Sequence, residues 1–189
     1  MSQSFSSLSS TCPVPIPANK ILELSRICPV WMVKGNVHSK PVLIALDNSD
    51  NAMRAVDHAA FMLSGTDCPV TLFYSKRNLM RFFSSEAVDP GSALESMWQS
   101  AAGREIAPYM LKAKEMLITA RLDESQISSR VVGGGRSAAA DILDAARRLG
   151  CGTIVMGRRG VTGVVAYTMG NVSRKVINDC NDTALWLTS

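Results

Sequence analysis

The sequence predicts an α/β fold, a doubly wound parallel sheet of five strands with helices on both faces. Short apolar, β-rich runs recur along the chain, and amphipathic helical patterns fill the gaps between them, as expected of a sheet buried on both sides. Size and composition agree: 189 residues hold one domain with an attachment, and 47% hydrophobic against 19% charged residues is the balance of a compact chain.

The strands fall at 41–47 (PVLIALD), 69–75 (PVTLFYS), 127–132 (ISSRVV), 152–157 (GTIVMG) and 183–189 (TALWLTS). After the first, Ser49 or Asp50 can cap a helix whose Ala52, Ala55, Val56, Ala59, Ala60 and Leu63 form one apolar stripe. His58 falls off that stripe and reads as a solvated position. The link from Lys76 to Gln126 has a loop signal at Asp89-Pro90-Gly91 and then a long helical pattern. Its expected buried face is Met97, Trp98, Ala101, Ala102, Ile106, Met110, Ala113, Met116, Leu117 and Ala120. Pro108 should kink or restart that helix, because proline removes a donor and crowds the preceding turn. A further helix, from Ser137 to Leu149, buries Ile142, Leu143, Ala145 and Ala146. It ends on Arg147 and Arg148, whose charge suits the helix dipole.

Residues 1–18 are Ser-rich and punctuated by Pro, a composition expected to be disordered. Residues 19–39 differ. NKILELSRICPVWMVKG (19–35) is a short helix followed by an apolar strand, the same order as SRKVINDCNDTALWLTS at 173–189. Lys20 corresponds to Lys175, and Val30-Trp31-Met32-Val33 to Ala184-Leu185-Trp186-Leu187. The segment reads as the tail of a preceding, truncated copy, leaving 40–189 as the complete domain.

The net charge is +4 with Lys and Arg scattered, which speaks against a nucleic-acid surface. No stretch reaches the roughly 18 apolar residues of a membrane span, and the start lacks a basic region followed by an apolar core, so a cytoplasmic location is expected. The five cysteines form no C-x-x-C, and His38 and His58 lie near no cysteine or acid cluster, so no metal held by protein ligands alone is expected. No nucleophile, base and orienting acid stand together, so robust catalysis is not expected.

The loop after the fourth strand holds the chemistry. In GRRGVTGVVAYTMGNVSRKVI (157–177), Gly157-x-x-Gly160 is followed after nine residues by Gly170-Asn171-Val172-Ser173. Glycines let amide N–H groups approach an anion closely, and a helix starting near Asn171 would aim its free amides at the same place. Singly these glycines could be mere turns. Their position at the carboxyl end of a parallel strand, where open α/β sheets place ligands, favours a phosphate site. Ser173 and Asn171 can add side-chain donors. Arg158 and Arg159 either screen phosphate charge or are solvated. Asp47, ending the first strand, either accepts from a ribose hydroxyl or adenine amine, or else closes an Asx turn or caps the first helix. Gly133-Gly134-Gly135-Arg136-Ser137 lacks P-loop spacing and reads as a turn.

IVMGRRGVTGVVAYTMGNVSRKVI (154–177) resembles the ATP-binding signature G-x2-G-x9-G-[S/T] of the universal stress protein family. PVLIALDNSD (41–50) is similar to that family's first strand and aspartate turn, and VVGGGRSAAADIL (131–143) to its third strand and following helix. The resemblance implies a three-layer α/β/α fold of the adenine nucleotide alpha hydrolase type, strand order 3-2-1-4-5, with ATP between strands one and four and Mg²⁺ held through the nucleotide. It implies contacts from Asp47 to adenosine, from Gly157 and Gly160 to ribose and phosphates, and from Gly170, Asn171 and Ser173 to phosphates, with Arg158 and the Val172 amide in the same turn. Asn171 stands where the signature has Ser or Thr, and Asn181-Asp182-Thr183 where Cys-Pro-Val is commoner. The implied role is regulation in stress response, with at most slow ATP hydrolysis, as a homodimer or with last strands paired within the chain. The alternative is a nucleotide-free scaffold. RICPVWMVKG (26–35) fits the last-strand pattern, so residues 29–33 are expected to pair antiparallel with 183–188 and cover an apolar edge.

Overall fold

The computed structural model describes residues 28–76, 91–133, 136–160 and 169–189, the side chains of 91–100 excepted. The expectations for 1–27, for the turn at 89–90, for Gly134 and Gly135, for Gly163 and for the side chains of Met97 and Trp98 therefore fall outside the described residues. The strands are β1 (Val30–Lys34), β2 (Val42–Ala45), β3 (Val70–Lys76), β4 (Ile127–Gly133), β5 (Thr153–Gly157) and β6 (Thr183–Thr188). The helices are α1 (Asp50–Leu63), α2 (Gly91–Thr119), α3 (Ala138–Arg148) and α4 (Asn171–Asp179).

The sheet runs β1-β6-β5-β2-β3-β4, six strands where the apolar runs count five. The five counted strands are parallel to their neighbours and stand in the order the resemblance implies. The sixth is β1, which pairs antiparallel with β6 from Val30↔Leu187 to Lys34↔Thr183, the pairing expected of residues 29–33. It joins the sheet by antiparallel pairing and not through a βαβ crossover, so the alternation of strands and helices that marks the other five does not count it.

Parallel strands buried on both faces alternate their side chains between two cores. Leu43, Ala45, Phe73, Ile154, Leu185 and Leu187 turn to α3 and α4, where they meet Ile142, Leu143, Val176 and Ile177. Val42, Ile44, Leu46, Val70, Leu72 and Val155 turn to α1 and α2. Burying one such Leu or Ile contributes about 1.5–3 kcal/mol, so each face is held by many times the value of any single polar contact.

Helix α1 starts where the pattern places it. Ser49 is its N-cap, accepting from the Ala52 amide at 3.2 Å, and all six residues of the stripe are buried. Ser137 caps α3 in the same way, accepting from the Ala140 amide at 3.2 Å. In α2 the restart that was one expected outcome at Pro108 is not seen: the helix runs on through Pro108 to Thr119. Pro108 and Arg104 both lie on the exposed side, where water can serve the carbonyl that loses its donor. Ile106, Met110, Ala113 and Leu117 are buried, whereas Ala101 of the expected face is exposed.

The chain between β1 and β2 crosses beneath the sheet at two close approaches. A Cβ on Gly152 would stand 2.0 Å from the Ser39 carbonyl oxygen, and the Gly152 amide donates to Pro41 at 3.0 Å. Nearer β1, Asp182 Oδ1 accepts from the Asn36 amide at 3.0 Å. Gly35 takes φ +72° against that carboxylate, leaving no room for a side chain. The Asn181-Asp182-Thr183 departure thus anchors the segment that follows β1.

Candidate functional site

Strand order reverses at β2, which leads through α1 to β3 on one side and neighbours β5 on the other. The carboxyl ends of β2 and β5 therefore open a crevice, the place where such sheets bind ligands. Asp47 sits there, two residues past β2, and of its expected roles the structure shows the Asx turn. Oδ1 closes an Asx turn, accepting from the Ser49 amide at 3.1 Å and from the Ser49 hydroxyl. Oδ2 lies against the loop after β5: a Cβ on Gly160 would come within 2.4 Å of it. The helix cap is Ser49, not Asp47.

The loop is closed at its base by backbone bonds. Arg158 donates its amide to Thr188 at 2.8 Å, and its carbonyl accepts from the Gly170 amide at 2.9 Å. Ser173 lies under this closure, 3% exposed, with its hydroxyl donating to the carbonyls of Gly157 at 3.0 Å and Arg158 at 3.1 Å. Sequence reading gives Ser173 to a ligand as a donor, whereas in the structure its hydroxyl is engaged by the protein itself. Its one proton is shared between two carbonyls that need it, so it ties α4 to the loop and shapes the cradle. Arg158 is 6% exposed, which removes the solvated reading of that residue.

Gly170 is the N-cap of α4 and supplies no side chain to it. Among the described residues nothing accepts from the amides of Asn171, Val172 and Ser173, and the helix dipole adds partial positive charge at that end. A Cβ on Gly170 would lie 3.2 Å from the Arg158 carbonyl and 3.7 Å from the Gly160 amide, so the two glycine turns touch. Gly157 makes a similar approach to α1, where a Cβ would stand 2.9 Å from Asn51. Asn171 and Val172 are exposed on the first turn of α4. The structure thus gathers Asp47, Gly160, Gly170 and the start of α4 at one point, and assigns Gly157, Arg158 and Ser173 to the walls behind it.

Sequence reading missed one cluster, about two turns along α1 from Asn51. His58 Nε2 accepts from Trp31 Nε1 at 3.0 Å, and its ring lies edge-on to Trp31 and Trp186 with centroids 5.9 Å from each. The two indoles stack with centroids 4.5 Å apart at 10°. His58 is therefore not a solvated position. Trp31 and Trp186 occur in the two similar segments at 30–33 and 184–187, and pairing those segments brings the indoles opposite each other, so the signal was present. Among the described residues no group of acids, cysteines and histidines could hold a metal ion, and no helix is long and apolar enough to cross a membrane.

An open, doubly wound sheet with a glycine-spaced loop and an uncapped helix at its reversal point has the build of the nucleotide-binding α/β class. The model of the universal stress protein family matches residues 38–184, and the chain belongs to that family. Among solved structures it is similar to the universal stress protein UspA from Lactobacillus plantarum, at 17% identity and a TM-score of 0.64, covering 82% of this chain and 100% of that one. It is similar to a universal stress protein in complex with cAMP, at 17% identity, TM-score 0.56, 79% and 97% coverage. A third is the universal stress protein from Archaeoglobus fulgidus in complex with dAMP, at 19% identity, TM-score 0.51, 81% and 99% coverage. A search of curated proteins finds no match.

Proposed function

We propose that this chain is an ATP-binding, cytoplasmic regulator of stress response, with the nucleotide seated between β2 and β5 and without robust turnover. The observation that carries the reading is the meeting of Gly160 and the uncapped N-terminus of α4 beside Asp47 at the reversal point. Phosphate oxygens would take the first-turn amides of α4, and Asp47 Oδ2 would accept from ribose or adenine. Structures of similar proteins with cAMP and dAMP support an adenine nucleotide. Mg²⁺ would arrive on the phosphates, since no described cluster of residues offers it a site. Bound nucleotide would act by favouring one state of the chain over another.

The β6 edge that a second copy would use for pairing is occupied by β1 of the same chain, which favours intrachain pairing over a homodimer through that edge. The sequence at 19–35 resembles that at 173–189, and the antiparallel pairing of β1 with β6 supports reading it as the tail of a preceding copy.

A nucleotide-free scaffold is the second reading, favoured by Ser173, whose hydroxyl is engaged within the protein. Mass spectrometry of small molecules released by denaturing the purified protein separates the two. Adenine nucleotide in the parent and none in Gly160→Val, whose side chain would meet Asp47, supports the first; none in either, with no heat on titrating ATP, supports the scaffold.

A further inference from the structure

Strand β1 is held to the body of the domain differently from every other strand. It ends the sheet at the side opposite β4, its Trp31 and Val33 are 47% and 66% exposed, and among the described strands it alone pairs only antiparallel, with no βαβ crossover to clamp it. On the face toward α1 its contacts run through three rings. Trp31 stacks on Trp186, and its indole N–H donates to His58 Nε2. That bond requires Nε2 to be unprotonated, because an indole nitrogen can only donate.

We infer that His58 is a pH-sensing latch: protonation of its ring turns the acceptor for Trp31 into a donor and undocks β1 from β6 near neutral-to-acid pH. The geometry makes the change repulsive. Nε2 meets Trp31 at its N–H rim and not over its face, so the imidazolium proton would confront another proton, without the attraction a ring face offers a cation. The two edge-on rings also keep water from one side of the imidazole.

The charges around His58 are few. On α1 they are Asp57 beside it and Arg54 one turn earlier, the latter donating to the Ser189 carbonyl at 3.1 Å. Strand β1 presents Trp31 and Val33 to this face, while Lys34 points to the opposite one and donates to the Asn178 carbonyl at 2.9 Å. Strand β6 presents Trp186 and Thr188, and β5 carries no ionisable residue. On α2, Glu105 accepts from Asn48 and Lys114 pairs with Glu124. Burial holds the His58 pKa below the ordinary imidazole value, and the Asp57 carboxylate opposes this without overcoming it. A group that prefers to be neutral when docked contributes fully above the ordinary imidazole range, and that contribution is lost as pH falls through the lowered value.

The test follows the stacked indoles by their exciton couplet in circular dichroism, with hydrogen exchange of the β1 amides, from about pH 8 to about pH 5. The latch predicts that the couplet collapses on acidification. Exchange at Val30–Lys34, corrected for its intrinsic pH dependence, should rise at least about tenfold while β2, β3 and β5 stay protected. In His58→Gln, which can accept the same bond and cannot titrate, both signals should stay constant. In Asp57→Asn the transition should move to lower pH. A couplet that persists or strengthens in the parent as pH falls, or a transition that survives in His58→Gln, overturns the proposal.

Discussion

The β2–β5 crevice and the β1–β6 seam belong to one sheet but are built from opposite materials. The crevice is made of backbone: glycines pressed against a carboxylate and carbonyls, a helix end without a side-chain cap, and one buried hydroxyl holding the turn closed. The seam adds to its antiparallel backbone ladder a set of side chains, two indoles and an imidazole on one face and Lys34 on the other. A backbone site is damaged by adding atoms, whereas a side-chain seam is damaged by removing them. The crevice and the strand docking can therefore be altered independently, although both rest on β5 and β6.

The sharpest break comes where both regions share a support. Gly152 starts β5 and carries the linker from β1, and a side chain there would collide with the Ser39 backbone. Gly152→Val should cost about 3 kcal/mol, seen as a lower urea midpoint for the whole domain, because a backbone clash cannot be relieved by a rotamer change. A change confined to β1 would show that the linker moves aside freely.

Next in size, Ser173→Ala and Trp31→Ala set the two regions against each other. Loss of the Ser173 hydroxyl leaves the Gly157 and Arg158 carbonyls short of a donor in a buried place, a cost of about 1–3 kcal/mol. It should weaken nucleotide retention and leave the indole couplet intact. Trp31→Ala should do the reverse, deprotecting the β1 amides by about 1–2 kcal/mol for the lost stack and hydrogen bond while nucleotide content is unchanged. If either variant moved both readouts equally, the regions would be one cooperative unit.

What the sequence made legible follows the same division. The parallel layers could be read because apolar runs and helical stripes are local patterns: the α1 stripe is buried to the last residue. The crevice could be read because glycine spacing marks where backbone must approach backbone. Side-chain roles were less legible. Whether Ser173 faces a ligand or its own loop depends on a hydroxyl rotation that no spacing encodes, and His58 gains its partner from a strand 27 residues away. The continuity of α2 through Pro108 was hidden because it depends on which side of the helix meets solvent. The extra strand was legible only as a likeness between two segments, and its pairing register then brought the tryptophans together.

The anchor behind β1 gives a smaller test of how the linker is held. Asp182 takes φ +49°, a conformation asparagine and glycine tolerate best, and its carboxylate accepts from the Asn36 amide. Asp182→Asn keeps the acceptor and suits the backbone, so its urea midpoint should match the parent's; Asp182→Ala loses the acceptor and should cost about 1 kcal/mol.

The smallest effect is expected at the nearby Lys40–Asp67 pair, 3.1 Å apart, with side chains 70% and 80% exposed. The Lys40 ammonium lowers the Asp67 pKa, yet both groups stay in water, where salt screens them and ordering two long side chains offsets the attraction. Lys40→Ala should leave the midpoint unchanged within error at low and at high salt. A measurable, salt-sensitive loss would mean that the linker between β1 and β2 is held by charge as well as by the close approaches at Gly35 and Gly152, and the division between backbone-built and side-chain-built regions would have to be redrawn there.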